Sequence, residues 1–155
     1  MNLHKNQIQN PIKFKTDIMV QPRDVDINGH VHHSVYLDYL LTARYDQMQR
    51  CYKMSMEEFN EMGLTWVARK YDITYKSGIE LNDTAEVTTW ISSIGRVDVY
   101  VNFVISSKKT KKVAAKGTAR FILLDITTKK PVKIPSNVIQ RYSIKKPAIG
   151  YSSDQ

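Results

Sequence analysis

The densest set of reactive side chains in this chain lies within residues 23–33. That stretch holds two carboxylates, one carboxamide and three imidazoles, on Asp24, Asp26, Asn28, His30, His32 and His33. A loop that leads into a helix N-terminus can direct backbone N–H groups and the helix dipole at an anion, while a nearby carboxylate acts as base or nucleophile. Attack on a carbonyl needs both the N–H donors and the carboxylate, because it creates an oxyanion and requires an incoming oxygen. The loop is therefore the candidate active site.

The elements that must position this loop are a strand before it and a helix after it. Apolar and polar residues alternate over residues 12–20, which is the period of a half-buried strand ending near Pro22. Apolar residues then recur near helical spacing from Val35 to Cys51, and predict a helix of about five turns with Ser34 as its N-cap. The first half of this helix is apolar on nearly every side, so we expect other structure to enclose it.

The remainder of the chain predicts a short helix and then a series of strands. Ser55 and Glu58 have the spacing of a capping box, and Gly63 supplies a helix stop. Period-two patterns, joined by connections short enough for antiparallel hairpins, follow over residues 64–75, 85–91, 97–105 and 113–125. This order predicts an α+β domain in which one antiparallel sheet of about five strands wraps around a long central helix. The long edge of such a sheet favours a homodimer or homotetramer.

Length and composition fit one domain. With 155 residues, 42% of them hydrophobic, we expect a single domain over residues 1–155, with a core at about 10–142 and a polar C-terminal tail at about 143–155 whose end is disordered. No run of about 18 apolar residues occurs, and residues 1–14 have no apolar signal core, so we expect a cytoplasmic protein that does not bind membranes. The single cysteine, Cys51, excludes an intramolecular disulfide and is expected to pack against apolar neighbours.

The net charge of +8 attracts anions such as nucleotide phosphates or an acidic carrier protein. Four of the cations form a cluster that we expect to be a solvated hairpin tip, namely Lys108, Lys109, Lys111 and Lys112. The sequence contains no appended DNA-binding helix pair and no row of aromatic residues interleaved with basic ones. We therefore expect no nucleic-acid partner.

The loop and the start of the helix resemble the signature of the hotdog-fold thioesterases. The matching residues are Arg23-Asp24-Val25-Asp26-Ile27-Asn28-Gly29-His30-Val31, followed by Tyr36-Leu37 and Ala43-Arg44. The resemblance in sequence covers the N-terminal third of the chain, and the predicted order of strands agrees with the hotdog topology as far as residue 125. It implies a hotdog fold and hydrolysis of an acyl thioester of coenzyme A or acyl carrier protein. From the residues themselves we expect a site without a metal or another cofactor.

The resemblance also implies roles for individual residues. Asp26 corresponds to the catalytic aspartate of the 4-hydroxybenzoyl-CoA thioesterase branch, where it would act as nucleophile or general base. In the plant acyl-carrier-protein thioesterases, Asp26, Asn28 and His30 match the proposed catalytic set. All three residue types are present here at the matching spacing.

Substrate-binding and supporting roles are implied in the same way. The backbone N–H of His33 falls where the thioester carbonyl is polarised, with Ser34 and Tyr36 beside it. The residues expected to support the loop are Arg23, Asp24, Gly29 and Arg44. Many relatives have asparagines where this chain has His32 and His33, and an acidic residue near Thr42. The acyl group and the choice between coenzyme A and acyl carrier protein therefore stay open.

Other interpretations of the loop compete with this one. Asp24, Asp26, Asn28 and Gly29 match the start of an EF-hand, but Val35 occupies the position where calcium binding needs a glutamate. The three histidines could bind zinc or iron, yet they lack helix-spaced pairs and cysteine partners. The carboxylates could also merely satisfy backbone groups of a turn.

Two other functions remain open. A hotdog hydratase or dehydratase is one alternative, although its usual Asp-x-Asn-Pro-x-His pattern places the histidine one residue later than here. A non-catalytic acyl-CoA-binding hotdog protein is the other.

Overall fold

The computed structural model describes residues 6–144. In chain order the described part contains β1 (Asn6–Gln7), β2 (Phe14–Met19), α1 (Val35–Arg50), α2 (Met56–Glu61), β3 (Leu64–Tyr75), β4 (Thr84–Ile94), β5 (Asp98–Ser107), β6 (Val113–Asp125) and α3 (Ser136–Tyr142). A 3₁₀ turn, Pro22–Asp24, lies between β2 and α1. The predicted disorder at the end of the chain falls outside the described residues.

The six strands form one antiparallel sheet. Its order is β1-β4-β5-β6-β3, and β2 pairs with β4 as well. β4 and β5 bury every second residue, because successive side chains of a strand point to opposite faces and one face carries the core. β3 pairs only with β6 and so forms an edge of the described sheet. A long helix packed on one antiparallel sheet confirms the predicted α+β hotdog architecture.

Helix α1 packs on this sheet along one face. Tyr36, Leu40 and Gln47 lie at helical spacing and are all buried. The Gln47 side chain joins the helix to two strands, since its Nε2 donates to the backbone O of Phe14 (3.3 Å) and its Oε1 accepts a hydrogen bond from the Thr89 hydroxyl. The closest neighbours of α1 are β2 and β4, which leaves a gap between the helix and the edge strand β3.

The prediction that the first half of α1 is enclosed on nearly every side is wrong on the side of this gap. Leu41 is 39% exposed, and Tyr45, one turn further along the helix, is 56% exposed. Both residues border a pocket between α1 and β3. The reason is that β3 lies at the sheet edge, where no further strand from residues 6–144 covers the helix.

Helix termini follow the sequence signals at two of three places. Ser55 and Glu58 form the predicted capping box through reciprocal hydrogen bonds, and Gly63, with φ +76°, follows the C-terminus of α2. Ser34 precedes α1, but its side chain makes no capping hydrogen bond. Its backbone is already helical (φ −68°, ψ −23°), whereas a capping side chain acts from an extended residue. Ser34 therefore occupies the predicted N-cap position, but its side chain does not cap the helix.

Candidate active site

The loop between β2 and α1 is held by Asp24. The Oδ2 atom of Asp24 accepts hydrogen bonds from the backbone N–H of Gln21 (2.9 Å) and from the hydroxyl of Tyr39 (2.8 Å). The backbone O of Asp24 accepts another from the N–H of His32 (2.8 Å). Asp24 thus joins the start of the loop to its end and to α1.

Asp26 begins a tight turn in the middle of this loop. Its backbone O accepts a hydrogen bond from the N–H of Gly29 (2.9 Å), and its own N–H donates to the backbone O of His30 (2.8 Å). Gly29 has φ +79°, a conformation that glycine adopts without a Cβ clash. The carboxylate Oδ1 accepts hydrogen bonds from the N–H of Asn28 (2.9 Å) and of His30 (3.2 Å). Within residues 6–144, the other carboxylate oxygen, Oδ2, has no hydrogen-bond partner.

The same donors favour the ionised form of Asp26. The backbone N–H of His30 lowers the pKa of the Asp26 carboxyl below its ordinary value of 3.8, against a smaller desolvation effect, and the N–H of Asn28 lowers it further. At neutral pH Asp26 is therefore a carboxylate with one unbonded oxygen. Such a group can take a proton from water or attack a carbonyl carbon itself.

The loop docks against the connection that follows β3. The backbone N–H of Val31 donates to the backbone O of Ile79 (2.8 Å). The Nε2 atom of His30 lies 3.7 Å from Oε2 of Glu80. The His30 ring also packs on Gly78, where an added Cβ would come within 2.8 Å of the ring. The imidazole of His30 is thus positioned by the facing segment.

Three aromatic rings meet at the N-terminus of α1. The ring centroids of His33 and Tyr75 are 4.6 Å apart, and those of Tyr36 and Tyr75 are 5.6 Å apart. The Tyr75 hydroxyl donates to the backbone O of His33 (3.2 Å). The backbone N–H of His33 has no acceptor in the described part of the chain. It can therefore donate to a substrate oxygen, as an oxyanion site requires.

A pocket of about 350 Å³ opens between the loop and the connection after β3. This volume lies within the range of small-molecule sites. The pocket is lined by Asp26, His30, Val31, His33, Tyr36, Tyr75, Lys76, Ser77 and Gly78. It combines a carboxylate, a lysine and aromatic surface, so it can hold a polar reacting group beside an apolar one.

The pocket brings together four residues singled out in the sequence, namely Asp26, His30, His33 and Tyr36. Asn28 contributes differently, because its backbone N–H binds Asp26 while its exposed side chain does not line the pocket. The reason is its place at the tip of the turn. A catalytic role for the Asn28 side chain stays a prediction, without a contact that supports it.

Three other predicted residues do not reach the pocket. Arg23 is exposed and forms no ion pair within residues 6–144, since Asp24 is bonded to other donors. Ser34 is exposed and does not line the pocket. Arg44 lies more than two helical turns beyond the loop, where its guanidinium packs over the Phe121 ring. Support of the loop by Arg23 and Arg44 is therefore not observed.

The residues that sequence reasoning missed come from one segment, Tyr75, Lys76, Ser77 and Gly78. In the sequence, lysine, serine and glycine here indicate only a turn between strands. The segment reaches the active loop through the pairing of β3 with β6 and the docking of the loop on Ile79. No local pattern encodes that approach.

The structure also bears on metals, membranes and the cysteine. Within residues 6–144, no group of three or more His, Cys, Asp or Glu side chains is arranged to hold a metal ion. Over the same residues, none of the helices has the length and apolar character needed to cross a membrane.

Cys51 packs against the core, and burial raises the pKa of its thiol, in agreement with the predicted packing role.

A sheet wrapped on a long helix, with an ionised carboxylate and an open N–H where that helix begins, is the arrangement expected of a hotdog thioesterase. The chain belongs to the thioesterase-like superfamily, whose family model matches residues 20–142. The predicted family is thereby confirmed.

Named relatives span nearly the same length. The long-chain acyl-CoA thioesterase FadM of Escherichia coli K12 is 21% identical over 128 residues, which cover 83% of this chain and 96% of FadM. The acyl-CoA thioester hydrolase YbgC of Escherichia coli O6:H1 is 23% identical over 134 residues, which cover 86% of this chain and 98% of YbgC. The structure of DHNA-CoA thioesterase from Staphylococcus aureus matches with a TM-score of 0.78 and 21% identity, and covers 84% of this chain and 89% of that one.

Proposed function

We propose that this protein hydrolyses acyl-CoA thioesters and that Asp26 delivers the attacking oxygen. The observation that carries the proposal is the state of the Asp26 carboxylate in the pocket. Two backbone N–H groups fix Oδ1, while Oδ2 has no partner within residues 6–144. The names of FadM and YbgC support coenzyme A as the carrier.

In the proposed reaction the thioester carbonyl lies at the N-terminus of α1, with its oxygen close to the N–H of His33. Oδ2 of Asp26 takes a proton from a water molecule as the water oxygen bonds to the carbonyl carbon. Alternatively, Oδ2 attacks that carbon itself and forms an anhydride, which water then opens. In both routes the C–S bond breaks and the leaving thiolate takes up a proton. The products are a free acid and coenzyme A.

The neighbouring residues have supporting roles in this proposal. His30, positioned beside Glu80, orients the attacking water. Tyr36 and Tyr75 contact the acyl group next to the carbonyl. Lys76 lines the pocket, and together with the net charge of +8 it favours the phosphates of coenzyme A.

We also propose that the working form is at least a homodimer in the cytoplasm. β3 contributes 12 residues to the sheet edge and pairs on one side only within the described residues. A free strand edge of that length is a pairing surface for a second copy. The single cysteine is compatible with a reducing compartment.

The test is thiol release from a panel of acyl-CoAs by the wild type, Asp26→Asn and a matched control, Asp38→Asn. Asp38 is exposed on the first turn of α1 and lines none of the pockets described, so the control removes the same charge near the same helix end. Asp26→Asn should lower kcat/KM by about a hundredfold or more. Asp38→Asn should stay within about threefold of wild type, because it removes only a screened surface charge.

A folded Asp26→Asn protein with wild-type turnover would refute the catalytic role of Asp26. Water addition to an enoyl-CoA without thiol release would identify a hydratase instead. Tight acyl-CoA binding without turnover would indicate a binding protein.

A further inference from the structure

A second pocket, of about 360 Å³, lies in the gap between α1 and β3. Its walls are almost entirely apolar and aromatic, with Met48, Tyr71 and Phe121 among the lining residues. Arg44 is the one charged residue in this lining. Its side chain comes from the middle of α1 and is more than nine-tenths buried. The pocket therefore places a permanent cation in apolar surroundings.

The guanidinium of Arg44 has no anionic partner within residues 6–144. Its contacts are all with neutral groups: a weak hydrogen bond from Nη2 to the sulfur of Met48 (3.8 Å), a cation–π contact with Phe121, 4.1 Å from the ring centroid, and a polar contact with the Tyr142 hydroxyl. No carboxylate forms a salt bridge with it, and none lines the pocket. Burial lowers the pKa of Arg44, which reflects the loss of water around the charge. A buried cation in this condition is stabilised strongly by an anion that binds beside it.

The surrounding polar groups add donors without adding an acceptor of full charge. The indole N–H of Trp66, another lining residue, is buried and approaches the Tyr142 hydroxyl without forming a hydrogen bond of standard geometry in the described part of the chain. Burial raises the pKa of the Tyr142 hydroxyl to about 12, whereas the charge of Arg44 and the approach of the Trp66 and Arg44 side chains lower it. Arg44 and Trp66 can only donate. The Tyr142 hydroxyl offers both of them a neutral acceptor, so the missing component is an anion, and a carboxylate fits best because it accepts from a guanidinium in a bidentate manner.

The position of the pocket relates it to the active site. Both pockets lie along α1 and β3, with Tyr36 and Tyr75 at the active site and Arg44 and Tyr71 at the second pocket. Along α1 the two pockets are eight residues apart, and along β3 they are four residues apart. Either separation corresponds to about 12 to 13 Å, a distance that an extended chain of roughly ten carbons spans. Leu41, exposed on α1, lines the second pocket at the end nearer to the active site.

We propose that the second pocket receives the far end of the acyl group and that Arg44 binds a terminal carboxylate there. The preferred substrate is then the coenzyme A thioester of a dicarboxylic acid of about eight to twelve carbons. This inference rests on the proposed thioesterase function and adds the substrate class. Hydrolysis would release the dicarboxylic acid and coenzyme A.

Matched pairs of substrates test the inference on the wild-type protein. Each pair has the same number of carbons, such as decanoyl-CoA and the mono-CoA thioester of decanedioic acid, and the series runs from six to fourteen carbons. We expect kcat/KM to favour the carboxyl-terminated member at least tenfold, with the largest ratio near ten carbons. A methyl-terminated member that is preferred at every length would overturn the inference and leave the thioesterase proposal intact.

Variants locate the preference in the pocket. Arg44→Met should reduce the ratio at least tenfold, and Arg44→Lys should keep part of it. Arg96→Met serves as the control, because it removes an equal charge from the exposed connection between β4 and β5. An unchanged ratio in folded Arg44→Met refutes the role of Arg44. A changed assembly mass without a changed ratio assigns Arg44 to a contact between copies, which also refutes it.

Direct binding separates this inference from catalysis. Calorimetry with free octanoate and its neutral analogue octan-1-ol, on wild type and Asp26→Asn, should show the carboxylate binding at least tenfold more tightly to both. That outcome supports the pocket even if no thioester is hydrolysed, whereas equal binding of the carboxylate and the alcohol contradicts it. If Arg44→Met does not fold, the wild-type substrate pairs and these binding data still decide the matter.

Discussion

Replacement of Gly29 by alanine should separate the geometry of the active loop from the stability of the fold. Gly29 has φ +79°, and an added Cβ would meet no atom within 4 Å. The substitution therefore introduces no clash, and its effect is that of a left-handed backbone on an L-residue, about 1 to 2 kcal/mol. In a domain of this size that loss lowers Tm by about 2 to 8 °C.

Gly63 offers a matched control. Its φ is +76° and its surroundings are equally open, but it precedes β3, at the other end of the strand from the active site. Gly63→Ala should lower Tm by a similar amount. Only Gly29→Ala should also lower kcat/KM, because the N–H groups of Asn28 and His30 that hold Asp26 flank Gly29. Displacement of a catalytic group by about 1 Å reduces the rate roughly a hundredfold.

Scanning calorimetry gives Tm, and thiol release from the best acyl-CoA gives kcat/KM. Gly29→Asn should recover part of the activity, since asparagine tolerates the left-handed region better than alanine. An equal loss of activity in Gly29→Ala and Gly63→Ala would attribute the effect to stability. Full activity in a Gly29→Ala protein with lowered Tm would show that the turn does not set the rate. Either result refutes the reasoning.

Three further predictions concern pH, the support of the loop and assembly. Backbone donors lower the pKa of Asp26, so its contribution to kcat/KM should stay level from about pH 5 to pH 8. It should decline only as the pH falls through the lowered pKa, beneath 3.8. An Asp26-dependent inflection above pH 5 in the pH–rate profile would contradict this prediction. Tyr39→Phe removes the hydroxyl that binds Asp24 and should lower the free energy of unfolding by about 1 kcal/mol in urea titrations; an unchanged value would mean that water replaces the hydroxyl fully. Sedimentation equilibrium should give at least twice the chain mass of 17.9 kDa, and a monomer at assay concentration would exclude the proposed dimer.

The sequence was most informative where periodicity is long. The predicted strands over residues 64–75 and 113–125 coincide with β3 and β6, because each is a long run bounded by turn residues, although a bulge between Ala68 and Lys70 interrupts the alternation of β3. β1 and α3 were not predicted, since two strand residues and seven helical residues provide too little periodicity to detect.

Only the part of the candidate site that lies in the loop between β2 and α1 could be predicted from the sequence. Asp26 and His30 stand out because their chemistry is concentrated within one loop. Tyr75 and Lys76 reach the same pocket from a segment whose position depends on pairing between distant strands. Arg44 shows the same limit, because helical spacing places it on the buried side of α1 but does not say which groups surround it there. Its contact with Phe121 depends on tertiary packing.

The hydrogen bonds that hold Asp26 have opposing effects on two properties that catalysis needs, namely the ionisation and the basicity of the carboxylate. Hydrogen bonds to Oδ1 keep the carboxylate ionised, but by lowering its pKa they also make it a weaker base, and general-base catalysis weakens as the base does. A weak base remains effective when it is fixed at reaction distance, because orientation supplies much of the rate enhancement. The N–H groups of Asn28 and His30 provide that fixation while they weaken the base. Substitutions that loosen the turn at Gly29 should therefore reduce activity more than substitutions that only alter the charge around it.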